Sequence, residues 1–209
     1  MEKLAKQIAE NIGQNFKYDY ERIAVISYGL TAIFQMLIIF SVVSVLGILG
    51  GFWVEGMIIF LLVGFLRRSV GGAHSNTFTG CLIISIFFIT LMALLSHYLS
   101  NPDLVYLYSA FSAVVFIWSF YIIYKKAPVD STKKPITKPE KIRRLRINAF
   151  ITLFIYGFAV AALYFVSDRQ LFHSGYGIGI TMAVLWQTTM LTGPGHKFIQ
   201  LIDYKLVDF

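Results

Sequence analysis

The sequence has little of what stabilises an ordinary secreted or cytosolic domain. Only 14% of its 209 residues are charged, against roughly 25% in typical soluble domains. It holds one cysteine, so a disulfide within the chain cannot form and a disulfide-stapled fold is excluded. Acidic residues are also few, eleven against eighteen Lys and Arg, which gives a formal net charge of +7. A disordered chain, a collagen-like chain and an ordinary soluble enzyme are therefore excluded.

Long apolar runs take the place of charge, since 57% of the residues are hydrophobic. A membrane-spanning helix needs roughly 17–25 mostly apolar residues, and six segments approach this requirement. They are about 23–49, 52–66, 79–99, 104–124, 147–166 and 176–193. The second is short and carries Glu55, which is either a functional intramembrane carboxylate or, at the outer interface, simply hydrated. The last contains Gly175 and Gly179, a spacing typical of close helix packing. We therefore predict an all-α, polytopic membrane protein with about six transmembrane segments.

The first 22 residues precede these segments and have a different pattern. Apolar side chains such as Leu4, Ile8 and Ile12 share one face of a helix, while Lys3 and Lys6 face elsewhere. This pattern predicts an amphipathic helix over 1–22 that lies on the membrane surface. A cleaved signal peptide fits less well, because the apolar run starts late and no small-residue cleavage site follows. Residues 23–209 are then one integral-membrane domain.

Basic residues fix the orientation of the predicted spans. Seventeen of the eighteen fall on alternate loops, and only Arg169 falls on the other side. By the positive-inside rule, both termini are cytoplasmic. Nine basic residues lie in the connecting loop 125–146, where they serve as a topology determinant that binds anionic membrane lipid or attract an acidic peptide. We do not expect nucleic-acid binding. The residues predicted to attract an acidic substrate are Lys133, Lys134, Lys138, Lys141, Arg143 and Arg144.

The turn between the second and third spans concentrates the reactive residue types. It runs from Arg67 to Cys81 and holds the only cysteine, one of four histidines, three glycines and two arginines. One interpretation is a positive-inside turn with flexible glycines, followed by a cysteine that packs as a small hydrophobe. The other is a cysteine nucleophile with a histidine base.

Spacing decides what the second interpretation requires. On one continuous helix, His74 and Cys81 would stand two turns or roughly 10 Å apart, too far for a base to activate a nucleophile. The backbone before Cys81 must therefore leave the helix, and Gly71, Gly72 and Gly80 permit such a bend. Irregular backbone at membrane depth requires protein or a water-filled cavity around it. We predict a partly re-entrant, cytoplasmic-facing catalytic turn.

The chemistry of such a turn is cysteine acyl transfer. Arg67 and Arg68 are candidates to stabilise a thiolate, an oxyanion or a substrate carboxylate. Backbone N–H groups of the glycine turn are candidate oxyanion donors. The imidazole of His74 has three candidate orienting residues, among which the sequence does not choose. They are Ser75, Asn76 and Thr77.

The run R-x-x-x-G-G-x-H-x-x-x-x-x-x-C, from Arg67 to Cys81, resembles the active-site motif of the accessory gene regulator B family. The segments 127–130 and 134–136 resemble that family's basic connecting loop. The resemblance also covers the length, the N-terminal surface helix and the number of spans. Family members are integral-membrane cysteine endopeptidases that process the precursor of a cyclic quorum-sensing peptide.

The resemblance implies a complete functional assignment. His74 and Cys81 are the catalytic pair, and Arg67, Gly71 and Gly72 support the oxyanion, the substrate or the turn. The substrate is a precursor signalling peptide whose C-terminal tail is cleaved through an acyl-thioester, with thiolactone or lactone ring formation. The enzyme lies in a bacterial cell membrane with its active site on the cytoplasmic side. It requires no cofactor, and the resemblance and the glycine face of the last span suggest a homodimer.

Two alternatives come from other functional classes. One is a small six-span transporter, although the predicted spans hold almost no ionisable residues for an ion pathway. The other is a non-catalytic membrane adaptor that recruits a partner through the basic loop. A metal site is not expected, because no H-E-x-x-H motif occurs and the histidines outside the turn do not converge.

Overall fold

The computed structural model describes residues 1–73, 75, 77–129, 139–167 and 175–207. These residues form an all-α fold with one 3₁₀ turn at Pro102–Leu104, which confirms the predicted class. The eight helices are α1 (Glu2–Phe16), α2 (Tyr20–Gly50), α3 (Trp53–Val70), α4 (Phe78–Tyr98), α5 (Val105–Lys126), α6 (Pro139–Ser167), α7 (Gly175–Thr189) and α8 (Gly193–Val207). Six of them, α2 to α7, coincide with the six predicted apolar segments.

Four helices in the described part of the chain are long and apolar enough to cross a membrane: α2, α4, α5 and α6. Helix α3 carries Glu55, Arg67 and Arg68 within 18 residues. Helix α7 has only 15 residues, a length of about 22 Å, whereas the hydrocarbon core is about 30 Å thick. The structure therefore supports four spans, and the count of six stays a prediction.

Helices α3 and α7 lie at the centre of the bundle. Helix α7 packs against α3, α4, α5 and α6, and α3 packs against α2, α4, α6 and α7. Ten of the fifteen residues of α7 are buried. The outer helices instead expose large apolar side chains, among them Phe40, Phe87, Ile117 and Phe158. An apolar exterior around a packed interior is what a lipid environment favours, because lipid tails impose no penalty on exposed hydrocarbon.

Hydroxyl groups connect the helices inside this bundle. Ser112 of α5 lies 2.8 Å from the Thr181 hydroxyl of α7 and 3.1 Å from the Tyr164 hydroxyl of α6. Two turns of α7 further on, the Thr188 hydroxyl donates to Ser119 of α5 at 3.0 Å. Each such bond contributes roughly 0.6 kcal/mol in a membrane bundle, so these bonds fix the register of α7 more than they add stability.

The glycine face of α7 is used within the chain. The Ser96 hydroxyl donates to the carbonyl oxygen of Gly175, and a Cβ at Gly179 would lie 2.9 Å from Ser96 Oγ. Close helix packing, predicted from the spacing, is confirmed. The same face cannot also serve a dimer, so that sequence argument for a homodimer is wrong, and the homodimer rests on the family resemblance alone.

Glu55 is not hydrated at an interface, and that interpretation is corrected. Its side chain is buried at the start of α3, and its Oε1 lies 3.0 Å from Nδ1 of His97 at the end of α4. A buried carboxylate needs such a partner, because burial without one is costly. The pair ties α3 to α4 at the end of the bundle away from Arg67 and Cys81.

Two boundaries differ from the sequence interpretation. Residues 1–22 are not one helix, because Lys17 takes a left-handed conformation after α1 and Asp19 caps α2 by accepting the Arg22 N–H at 3.0 Å. Helix α6 begins at Pro139, eight residues before the predicted span. Part of the predicted connecting loop 125–146 is thus helical.

Candidate active site

The chain leaves the helix between α3 and α4. Helix α3 ends at Val70 because Gly71 (φ 70°, ψ −143°) and Gly72 (φ 131°) take backbone conformations that L side chains rarely adopt. Helix α4 begins at Phe78, where the Thr77 hydroxyl accepts the Gly80 N–H at 3.1 Å as an N-cap. The predicted break in the helix before Cys81 is confirmed. Its re-entrant depth in a membrane stays a prediction.

Cys81 lies in the first turn of α4 and is half-buried as a free thiol. Its backbone N–H donates to Thr77 O at 3.1 Å, which places the side chain just after the cap of α4. His74 and Asn76 lie outside the described residues. Ser75 and Thr77, the other two candidate orienting residues, are both described and both belong to the turn.

Arg67 connects the end of α3 to this turn. Its Nη2 donates to the carbonyl oxygen of Ala73 at 2.9 Å, next to His74 in sequence. Its guanidinium is also close enough to Cys81 and to Tyr28 of α2 to attract either side chain when it is ionised. Arg68 is exposed. Of the two candidate arginines, Arg67 interacts electrostatically with Cys81, whereas Arg68 is exposed on α3.

Helix α7 and Met190, the residue that follows it, hold the glycine turn from the other side. The buried Gln187 donates through Nε2 to Gly71 O at 2.6 Å, and Ala73 N–H donates to Met190 O at 2.9 Å. Gly71 N–H in turn donates to Arg67 O at 2.9 Å. The N–H groups of Gly71 and Ala73 therefore hold the turn in place. Oxyanion donation by the glycine turn stays a prediction.

The start of the connecting segment lies directly against the turn. Val129 N–H donates to Val70 O at 2.9 Å, and Val129 forms an isolated parallel bridge with Gly71. A Cβ at Gly71 would lie 2.2 Å from Val129 O, so glycine is required by contact as well as by φ. Arg146 of α6 donates to Ala127 O at 2.9 Å. The basic segment is thus anchored at the site at its first residues.

Half of the predicted substrate-attracting residues lie in described structure. Lys141, Arg143 and Arg144 are exposed in the first two turns of α6, and we call them the basic turn of α6. They belong to a helix rather than to a flexible loop. The remaining three, Lys133, Lys134 and Lys138, lie outside the described residues.

One residue at the turn escaped the sequence analysis. Asp203 of α8 is buried, and its Oδ1 accepts a hydrogen bond from the Ser75 hydroxyl. A Cβ at Gly80 would lie 2.9 Å from the same oxygen. The available signal was the apolar pattern after Gly195, which continues as a helix and carries a single carboxylate before Asp208.

Aromatic contacts fix the position of α8. Phe198 contacts Phe88 of α4 edge-on, with ring centroids 5.7 Å apart, and Phe88 stacks on Trp186 of α7 at 3.9 Å. Ile199 is buried in the small core that also contains Ala73 of the turn. Helix α8 is therefore packed against both the bundle and the turn. Within the described residues, no cluster of His, Cys, Asp or Glu could hold a metal ion.

The turn, the cysteine and the basic segment all fall within one family match. The model of the family described as "Accessory gene regulator B" matches residues 4–191. The chain belongs to the accessory gene regulator B family. The match ends two residues before α8, so it does not include Asp203.

Relatives of similar length support this membership. An AgrB-like protein 2 from Clostridium perfringens strain 13 is 30% identical over 213 residues, covering 97% of this chain and 96% of the relative. An AgrB-like protein from C. perfringens strain SM101 is 30% identical over 208 residues, with the same coverage. A third, from Halalkalibacterium halodurans, is 27% identical over 204 residues, covering 97% and 92%. No solved structure gives a significant match. The family is associated with the processing of the accessory gene regulator quorum-sensing peptide.

Proposed function

We propose that the protein is a membrane-embedded cysteine endopeptidase that removes the C-terminal tail of a quorum-sensing propeptide. The observation that carries the proposal is the position of Cys81. The chain's only thiol lies in the first turn of α4, beside the guanidinium of Arg67 and seven residues after His74 in sequence. A free, half-buried thiol next to a cation is the environment in which a cysteine acts as a nucleophile.

The reaction begins with transfer of the Cys81 thiol proton to the imidazole of His74. The thiolate attacks a carbonyl carbon of the precursor, and the peptide C–N bond breaks. The imidazolium returns the proton to the departing amine of the tail, which leaves an acyl-thioester on Cys81. A Cys or Ser side chain of the precursor then attacks this thioester, which closes a thiolactone or lactone ring and regenerates the thiol.

Arg67 serves this mechanism in two ways. Its hydrogen bond to Ala73 O holds the turn against α3, and its positive charge attracts the thiolate that forms at Cys81. Gly71 and Gly72 supply the backbone conformation that places Ala73 within reach. Support of the turn is therefore the role we assign to all three residues.

The basic turn of α6 is the described part of the substrate-attracting surface. Positive charge in the first turns of a helix opposes the helix macrodipole, which favours negative charge there. These residues thus do not stabilise α6. This supports a role for them in binding an external anionic partner. We assign that role to the acidic tail of the precursor and to the headgroups of anionic lipids. The active site and both termini then lie on the cytoplasmic side of a bacterial cell membrane, with the enzyme a homodimer.

The proposal is tested with purified protein in proteoliposomes and a synthetic propeptide. Cys81→Ala and His74→Ala are each expected to abolish tail release, because each removes one half of the catalytic pair. Thr79→Ala is the matched control, since Thr79 is an exposed residue of the same helical turn, and it should retain activity. Full tail cleavage by either catalytic variant would contradict the proposal. Solute flux without propeptide would instead favour a transporter.

A further inference from the structure

Asp203 joins two segments that are distant in sequence from it. Its side chain is only 6% exposed, although a buried carboxylate is costly unless its oxygens are hydrogen-bonded. The Ser75 hydroxyl supplies one such bond to Oδ1, over a sequence separation of 128 residues. Asp203 also lies at the amino end of α4, since a Cβ added at Gly80 would lie 2.9 Å from its Oδ1. The helix macrodipole favours negative charge at that end.

Ser75 also forms a hydrogen bond with the residue that caps α4. Its Oγ accepts the Thr77 N–H at 3.2 Å, and Thr77 in turn caps α4 through Gly80. The single hydroxyl proton of Ser75 has three acceptors in reach: Asp203, Thr77 O at 3.1 Å and the Thr77 hydroxyl at 3.4 Å. A carboxylate is the stronger acceptor, so Ser75 donates to Asp203 while it accepts from Thr77.

The positions of these partners give the contact a functional meaning. Ser75 directly follows His74, and Gly80 directly precedes Cys81. We propose that Asp203 is a positioning residue that holds the histidine side of the turn against the cysteine side. It acts through Ser75 and Gly80. This inference rests on the proposed function, because it assumes that His74 and Cys81 work as a pair.

The packing of α8 fixes the position of the Asp203 carboxylate. Ile199, one turn before Asp203, belongs to the same small buried core as Ala73, Ile84 and Met190. Ala73 directly precedes His74 and Ser75 directly follows it, so α8 shares a core with one neighbour of the histidine and a hydrogen bond with the other. A carboxylate on a flexible surface segment would not fix the position of Ser75, whereas a carboxylate on a packed helix does.

The test compares variants of the full-length protein in nanodiscs. Asp203→Ala is expected to lower kcat for propeptide cleavage at least tenfold and to change KM less than twofold, since Asp203 does not touch substrate. Asp203→Asn keeps the volume and an acceptor for Ser75, and should recover at least half of the lost activity. Gln200→Ala, at an exposed position of the same helix, is the control and should match wild type.

A double-mutant cycle separates positioning from general destabilisation. If Asp203 acts through Ser75, Ser75→Ala should reduce kcat to a similar extent, and the double variant should be no slower than Asp203→Ala. Equal kcat for Asp203→Ala and Gln200→Ala, or multiplicative losses in the double variant, would overturn the inference. Thermal unfolding of each variant identifies any that fails to fold, and Asp203→Asn then carries the comparison.

A second readout does not depend on the propeptide. Cys81 is the only thiol, so its rate of alkylation by iodoacetamide reports this residue alone. Asp203→Ala should slow alkylation at least threefold, because His74 is no longer held where it can accept the Cys81 proton. An unchanged or faster rate would contradict the positioning role. If Cys81→Ala still cleaves propeptide, the proposed function fails on its own, and the alkylation rates still decide the role of Asp203.

Discussion

Replacement of Gly71 by alanine tests whether the turn between α3 and α4 has one required backbone conformation. Gly71 has φ 70° and ψ −143°, a conformation that costs an L-residue about 1–3 kcal/mol. The new Cβ would lie 2.2 Å from Val129 O. Because that atom belongs to the backbone, the segment around Val129 must shift, which weakens the hydrogen bond from Val129 N–H to Val70 O. That bond contributes about 0.5–1.5 kcal/mol.

Together these contributions predict a loss of about 1.5–4.5 kcal/mol for Gly71→Ala. If the loss falls on the turn alone, the population with the active geometry drops at least roughly tenfold, since 1.4 kcal/mol is a factor of ten. If the loss falls on the whole protein, the unfolding midpoint drops by roughly 3–18 °C. Cleavage kinetics and thermal unfolding in nanodiscs distinguish the two cases.

Gly64→Ala is the matched control for this change. Gly64 lies in α3, seven residues before Gly71, and a Cβ added there meets no atom within 4 Å. Alanine in a helix interior is favoured over glycine by about 0.5–1 kcal/mol, so this variant should be unchanged or slightly more stable. Equal activity and stability of the Gly71 and Gly64 variants would refute the requirement for glycine in the turn.

Three further predictions concern other parts of the molecule. Gln187→Ala removes the donor to Gly71 O and should slow cleavage by an amount equivalent to about 1–3 kcal/mol. Wild-type kinetics would contradict the inference that α7 holds the glycine turn in place. Glu55→Ala removes the partner of His97, which is one-third exposed, and should lower stability by about 1–3 kcal/mol, seen in thermal unfolding, without a lower kcat in the folded fraction. Replacing the basic turn of α6 with glutamines should raise KM most at low salt, and a salt-independent KM would argue against electrostatic attraction.

Much of the helical architecture follows from local sequence. The Gly50–Gly51 pair and the Asn101–Pro102 pair separate apolar runs, and the structure ends α2 at Gly50 and begins the next 3₁₀ turn at Pro102. The start of α6 was missed because its basic residues suggested a loop. Pro139 followed by Glu140 is nevertheless a helix-start pattern, and it was the better guide.

The candidate site was predictable only in its local part. Glycines ahead of a cysteine predict a break in the helix, and the break lies at Gly71 and Gly72. The residues that hold the turn, Gln187 and Asp203, are more than 100 positions away in sequence. Their contacts depend on how α7 and α8 pack, which periodicity does not specify.

The most direct test of the central claim is to trap the acyl-enzyme. Intact-protein mass spectrometry of an acid-quenched reaction should show wild-type protein carrying the precursor lacking its tail, attached at Cys81 as a hydroxylamine-sensitive thioester. His74→Ala and Cys81→Ala should show no adduct and no released tail. Tail release at the wild-type rate by the Cys81→Ala protein would contradict the account.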